Sequence, residues 1–114
     1  MKKLSIIVPR YKETERQMLP LLSSINNQLG INLNDIEVVI GNDGGGADPL
    51  SAEYLSQFDI EVRQFALEEN KGCGLARQIA IDHAKGDYLY FCDADDIIHN
   101  VLALSMTLGE IERT

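Results

Sequence analysis

Short apolar runs alternating with amphipathic stretches predict an α/β fold: a mostly parallel sheet with helices on both faces. Three observations carry this expectation. Four β-rich runs begin near Leu4, Ile36, Ile60 and Asp87, each separated from the next by enough chain for a crossover. The segments between them carry apolar residues at helical spacing, giving the order βαβαβαβ and then a last helix. Finally, glycine- and aspartate-rich turns follow the ends of the second and fourth runs, where open α/β sheets bind ligands.

The first strand is Leu4-Ser5-Ile6-Ile7-Val8, closed by Pro9. Leu19, Leu22, Ile25, Asn26 and Leu29 then recur at helical spacing up to Gly30, with Pro20 in the first turn and Tyr11 to Met18 mostly loop. Ile36 to Gly41 is the second strand, and Asn42-Asp43-Gly44-Gly45-Gly46-Ala47-Asp48-Pro49 its loop. Leu50 to Gln57 is a short helix, and Ile60 to Phe65 an alternating strand. After Glu68 to Gly72, a helix from about Gly74 to Ala84 buries Leu75, Ile79 and Ile81, with Lys85-Gly86 ending it. Asp87 to Cys92 is a fourth, buried strand. Asn100 to Arg113 is a helix with Leu102 and Met106, and at the margin Leu108, inward.

The 114 residues are enough for a single domain spanning residues 1–114, and 45% hydrophobic with 25% charged residues describes a globular chain. A formal charge of −8 argues against nucleic acid or an anionic membrane as a general partner. The apolar run after Met1-Lys2-Lys3 is too short for a signal peptide, and no segment approaches the roughly 20 apolar residues of a membrane helix. Cys73 and Cys92 therefore read as reduced thiols of a cytoplasmic protein, with Cys92 in the core.

The fourth strand ends in Asp93-Ala94-Asp95-Asp96. Carboxylates this close repel, and a divalent cation turns that cost into a use. In extended chain Asp93 and Asp95 point the same way, about 7 Å apart. Oxygen ligands alone select a hard ion, Mg²⁺ or Mn²⁺, shared with phosphate. The plainer reading is a helix N-terminus capped by Asp95 or Asp96; for Asp96 cap and site role stand level. The glycines after Asp43 allow close approach of a planar or anionic ligand, or else form an ordinary turn. Gly72-Cys73-Gly74-Leu75-Ala76-Arg77 lacks the dinucleotide fingerprint, though Arg77 is placed to reach a diphosphate or a surface acid. His83 reads as a helix-dipole partner and His99 as no ligand.

Four motifs in this order resemble family 2 glycosyltransferases. Ser5 to Glu13 resembles that family's opening strand and VPxYNE segment, with Lys12 where Asn is usual. Glu37 to Gly44 resembles its second strand and DDGS turn, with Asn42 for the first Asp and Gly45 for Ser. Asn70 to Gln78 resembles its NxGxxxAR helix start, and Gly86 to Asp96 its GDYIxFLDxDD signature. The resemblance implies a Rossmann-like sheet of the GT-A type and a nucleotide-diphosphate sugar donor, a UDP sugar. It implies that Pro9, Tyr11 and Glu13 line the base and ribose pocket and that Asp43 binds uracil. Arg77 would approach the ribose or diphosphate, Asp93 the ribose or sugar, and Asp95, with Asp93, the Mn²⁺ or Mg²⁺ ion.

Only 18 residues follow Asp96, and no general base can be nominated, so the chain reads as an apparently truncated donor-binding half: one domain of a longer protein, a truncated reading frame or a naturally short protein. Its acceptor, whether glycan, lipid or protein, is open. Such a half exposes apolar surface, with homo-oligomerisation as one outcome, and any tie to the inner face of the membrane would come through parts not present. Two alternatives stand beside this reading. One is phosphoryl transfer of the haloacid-dehalogenase type, whose DxD normally follows the first strand and whose first Asp is the nucleophile. The other is a nucleotide-sugar-binding module without turnover.

Overall fold

The computed structural model describes residues 2–44, 48–69 and 72–113, without the side chain of Cys73. The expectations on Gly45, Gly46, Asn70, Lys71 and the Cys73 thiol lie outside the described residues. Four strands, β1 (Leu4–Arg10), β2 (Ile36–Asn42), β3 (Glu61–Ala66) and β4 (Tyr88–Phe91), form one parallel sheet in the order β3-β2-β1-β4. The helices are α1 (Glu15–Asn26), α2 (Ala52–Leu55), α3 (Cys73–His83) and α4 (Ala103–Arg113), with a 3-10 turn at Leu33–Asp35.

Period-2 alternation divides the sheet between two cores. Leu4, Ile6 and Val8 of β1 and Ile36, Val38 and Ile40 of β2 pack on one face with Met18, Leu21, Leu22 and Ile25 of α1 and Leu104 and Leu108 of α4. Ile7 and Val39 face the other way onto Ala80 of α3. There α3 lies almost flat on the sheet, because a side chain at Gly41 would run into the backbone of Ala76.

Several local expectations shift. Pro9 does not close β1: it lies within the strand, paired opposite Gly41. The first helix starts at Glu15, where Thr14 and Gln17 form a reciprocal capping box, so the stretch up to Met18 is not mostly loop. Pro20 is therefore inside α1 and not in its first turn; both Pro20 and Arg16 are exposed, leaving the freed Arg16 carbonyl to water. Leu19 and Leu29 are exposed, and Met18 and Leu21 take the inward places. Among the described side chains of α3 the buried ones are Ala76 and Ala80, not Leu75, because the close approach at Gly41 favours small side chains there. On α4, Leu104 and Leu108 face in while Met106, and Leu102 just before the helix, are exposed.

Gln28 sets that phase of α4. Buried beside α1, it accepts a hydrogen bond from the Leu104 N–H at 3.0 Å and donates to the Asn100 carbonyl at 2.9 Å. The largest departure is β4. It is a sheet edge, with Leu89 and Phe91 40% and 54% exposed, and not a buried strand.

Glu37 is a charged residue of β2 that is fully buried. Its carboxylate accepts from Ser5 Oγ, the Lys85 N–H and Arg63. Burial alone would raise its pKa, but these hydrogen bonds and the Arg63 charge hold it below the ordinary value of 4.5. A lowered folded pKa contributes stability that is complete above the ordinary value and is lost as the pH falls through the lowered one. The melting temperature of the wild type is expected to fall more steeply between about pH 5 and pH 3 than that of Glu37→Gln, measured by circular dichroism. Gly41→Ala is expected to cost about 3 kcal/mol, read from the urea midpoint, because α3 must lift off β2.

Candidate donor-binding cleft

Parallel strands bring their carboxyl ends to one edge, and a cleft of about 490 Å³ opens there. Pro9, Arg10, Tyr11 and Glu13 line it from the end of β1, and Asp43 from the end of β2. Gly72 and Ala76 contribute from α3, and Asp93, Ala94 and Asp95 from the turn after β4. The fold thus gathers Pro9, Tyr11, Glu13, Asp43, Asp93 and Asp95 in one place. Arg77, half-buried on α3, is not part of the lining.

Asp43 is almost wholly buried, and its Oδ2 accepts from the Gly72 N–H at 2.9 Å, tying the end of β2 to the start of α3. Gly44 beside it is packed against protein: a side chain there would collide with the backbone of Leu67 to Glu69. The close approach that its lack of a side chain permits is to the chain itself, not to a ligand.

Arg10 and Ala76 are lining residues that carried no role in the sequence reading. The available signal was the alternation Leu4, Ile6, Val8, Arg10, which puts Arg10 on the α1 side. There its guanidinium donates to Asn42 Oδ1 at 2.9 Å and to the carbonyls of Glu13 and Asp48. Asn42 in turn donates to Gln64 Oε1 at 3.2 Å, and Gln64 both accepts from and donates to the backbone of Leu50. This polar row braces the loops on either side of the cleft. Burial draws the Arg10 pKa down, against Glu13, Glu15, Tyr54 and Asp48, which work to raise it.

The acidic segment is the turn its residues suggest, and not the extended chain from which a separation of about 7 Å follows. The Asp96 N–H donates to the Asp93 carbonyl at 3.0 Å, and Asp96 Oδ2 accepts from the Asp93 N–H at 2.8 Å. In this turn carboxylate oxygens of Asp93, Asp95 and Asp96 lie within 4.8 Å of one another. Asp96 caps this turn; no helix follows until Ala103, so it is no helix cap. Cys92 and Ala94 are buried on the α1 side and anchor the turn from beneath. His99 is exposed, and His83 stacks on Phe65 away from the cleft lining.

A match to the family model "Glycosyl transferase family 2" covers residues 5–114. The chain is 36% identical over 98 residues to a teichoic acid poly(glycerol phosphate) polymerase of Staphylococcus epidermidis, covering 84% of this chain and 13% of that protein. It is 33% identical over 102 residues to the poly(ribitol-phosphate) β-N-acetylglucosaminyltransferase TarS of Staphylococcus aureus, covering 87% of this chain and 17% of TarS. A crystal structure of TarS residues 1–349 superposes with a TM-score of 0.83 at 28% identity, over 97% of this chain and 32% of that one. The same TarS fragment in complex with UDP-GlcNAc superposes with a TM-score of 0.82 at 28% identity, over 97% of this chain and 31% of that one. The chain belongs to glycosyl transferase family 2, and its sheet is of that family's α/β type. Family membership displaces the haloacid-dehalogenase alternative. The chain spans less than a fifth of the length of these two curated relatives.

Burial first, and then the charges of Asp96 and Asp93, push the Cys92 thiol up to about 11. Cys92 is therefore expected to resist iodoacetamide at pH 8 in the folded chain and to react readily in urea, as read by peptide mass mapping.

Proposed function

We propose that this chain binds a nucleotide-diphosphate sugar, a UDP sugar, as the donor-binding part of a glycosyltransferase. The observation that carries the reading is the convergence of Asp43 and the Asp93–Asp95 pair on one cleft of about 490 Å³, a volume suited to a small ligand. Solved structures of TarS in complex with UDP and with UDP-GlcNAc share this fold, which supports the choice of nucleotide.

In this reading Pro9, Tyr11 and Glu13 line the base and ribose. Asp43, whose carboxylate lines the cleft, accepts from the uracil N–H. Asp95, assisted by Asp93, holds Mn²⁺ or Mg²⁺ against the diphosphate. The donor set fits such an ion: three exposed carboxylates with oxygens within 4.8 Å leave open positions for water and phosphate oxygen. When bound, the ion would stabilise the charge of the departing diphosphate. Arg77 is left out of the assignment because it stands outside the lining. No residue of the chain is assigned as base or to the acceptor.

Isothermal titration with UDP tests this. Mn²⁺ is expected to tighten binding at least tenfold, about 1.4 kcal/mol, and Asp95→Ala to abolish the gain. UDP affinity indifferent to both the metal and the substitution would overturn the proposal.

A further inference from the structure

Glu37 sits away from the cleft and touches none of the groups assigned to the donor. We propose that its buried carboxylate is a positioning residue: it sets the register of β4 on β1 and so places Asp93 and Asp95 in the cleft. The register claim stands on the fold alone; its value for metal and donor binding rests on the function proposed above.

β4 holds its own register weakly. It is four residues long, pairs only with β1, and leaves Leu89 and Phe91 of its α3-side face exposed. The fixing comes instead from the turn just before it. Glu37 Oε2 accepts from the Lys85 N–H at 2.7 Å and from Ser5 Oγ at 2.6 Å, and Ser5 Oγ accepts from the Gly86 N–H at 2.8 Å. One carboxylate and one hydroxyl thus hold two consecutive backbone N–H groups at the start of the strand. Gly86 lies so close to β1 that a Cβ there would come within 2.6 Å of the Ser5 nitrogen.

The other carboxylate oxygen extends the clamp. Arg63 Nε and Nη2 donate to Glu37 Oε1 at 3.0 and 2.7 Å, and Nη2 also donates to the carbonyl of His83 at 2.6 Å. The last turn of α3 and the first residues leading into β4 are therefore both drawn onto β2. Only an ionised carboxylate can serve, since both oxygens accept from donors. A glutamine turned either way would point its NH₂ at Arg63 or at Lys85 and Ser5.

Register is what the acidic turn depends on. A slip of one residue would send Asp93 and Asp95 toward the core that Cys92 and Ala94 now occupy. A slip of two would carry them about 7 Å along the strand, further than the 4.8 Å that spans the acid cluster.

The test compares wild type and Glu37→Gln by hydrogen–deuterium exchange, and by UDP titration with and without Mn²⁺. The amides of Lys85, Gly86 and β4 are expected to exchange about tenfold faster in the variant, with Val38 to Ile40 of β2 still protected. UDP affinity without metal should be unchanged and the Mn²⁺ enhancement lost. Ser5→Ala removes the Gly86 anchor but keeps the Glu37–Arg63 pair; it should show the same pattern more weakly, and it serves if Glu37→Gln does not fold. Unchanged β4 exchange, or equal acceleration across all four strands, would overturn the proposal. So would faster β4 exchange with the Mn²⁺ effect intact. Exchange is read without any ligand, so a wild-type chain that ignores UDP would sink the donor reading while the register claim is still decided.

Discussion

Pairing of β1 on both of its edges is the constraint on which the rest of the structure depends. β1 is buried along its whole length and takes β2 on one side and β4 on the other, in parallel. Parallel pairing forbids tight hairpins and forces each return through a crossover. It also places the loops after β1, β2 and β4 at one edge. Tyr11, Asp43 and Asp93 are far apart in sequence and adjacent in space for that reason alone. The chemistry that any one of these loops carries is weak; their convergence makes a cleft.

Buried polar groups then tune where the loops stand. On the α1 side, Arg10, Asn42 and Gln64 form a row at the cleft edge of the sheet; on the α3 side, Ser5, Glu37 and Arg63 form a second. The described residues hold no buried side-chain polar atom without a partner. A network satisfied in this way resists movement, since breaking one member strands the others in a low-dielectric interior. The two rows explain how a small sheet with an exposed edge strand can still hold its loops in fixed positions.

The strands and the acidic turn were legible in the sequence because they rest on local patterns: apolar runs with period 2, and turn residues at their ends. The helix faces were less legible. The apolar count on α3 favoured Leu75, yet packing chose Ala76 and Ala80, because Gly41 brings the helix too near for a larger residue. Periodicity around α4 pointed to Leu102 and Met106, but its phase is set by Gln28, a polar residue more than 70 positions away in the chain. Thr14 and Gln17 did carry a readable capping box; Pro20 obscured it, since a proline is expected near a helix start and not in its middle. The exposure of β4 could not be read from composition, which reports what a strand is made of and not whether it has a neighbour. Of the cleft lining, Pro9, Tyr11, Glu13, Asp43, Asp93 and Asp95 were legible from their motifs, and Arg10, within the first of those motifs, was not, since its role comes from partners on other elements.

Two of the departures from the family's usual motifs, Lys12 and Asn42, have local physical reasons. Lys12 stands where asparagine is usual, and its ammonium lies 5.0 Å from the centre of the Tyr11 ring, so it holds the exposed ring by a cation–π contact. Asn42 stands where an aspartate is usual. Its amide must accept from Arg10 and donate to Gln64 Oε1 at once. Gln64 cannot turn over to suit an aspartate, because its two ends are committed to the N–H and the carbonyl of Leu50. An aspartate could satisfy Arg10 but would set a carboxylate oxygen against the Gln64 oxygen. Asn42 also bonds on the α1 side of β2 and does not line the cleft, whereas Asp43, the next residue, does. Alternation along one strand therefore separates the two positions of the motif into a brace and a cleft-lining residue, and the change at the brace leaves the cleft-lining residue in place.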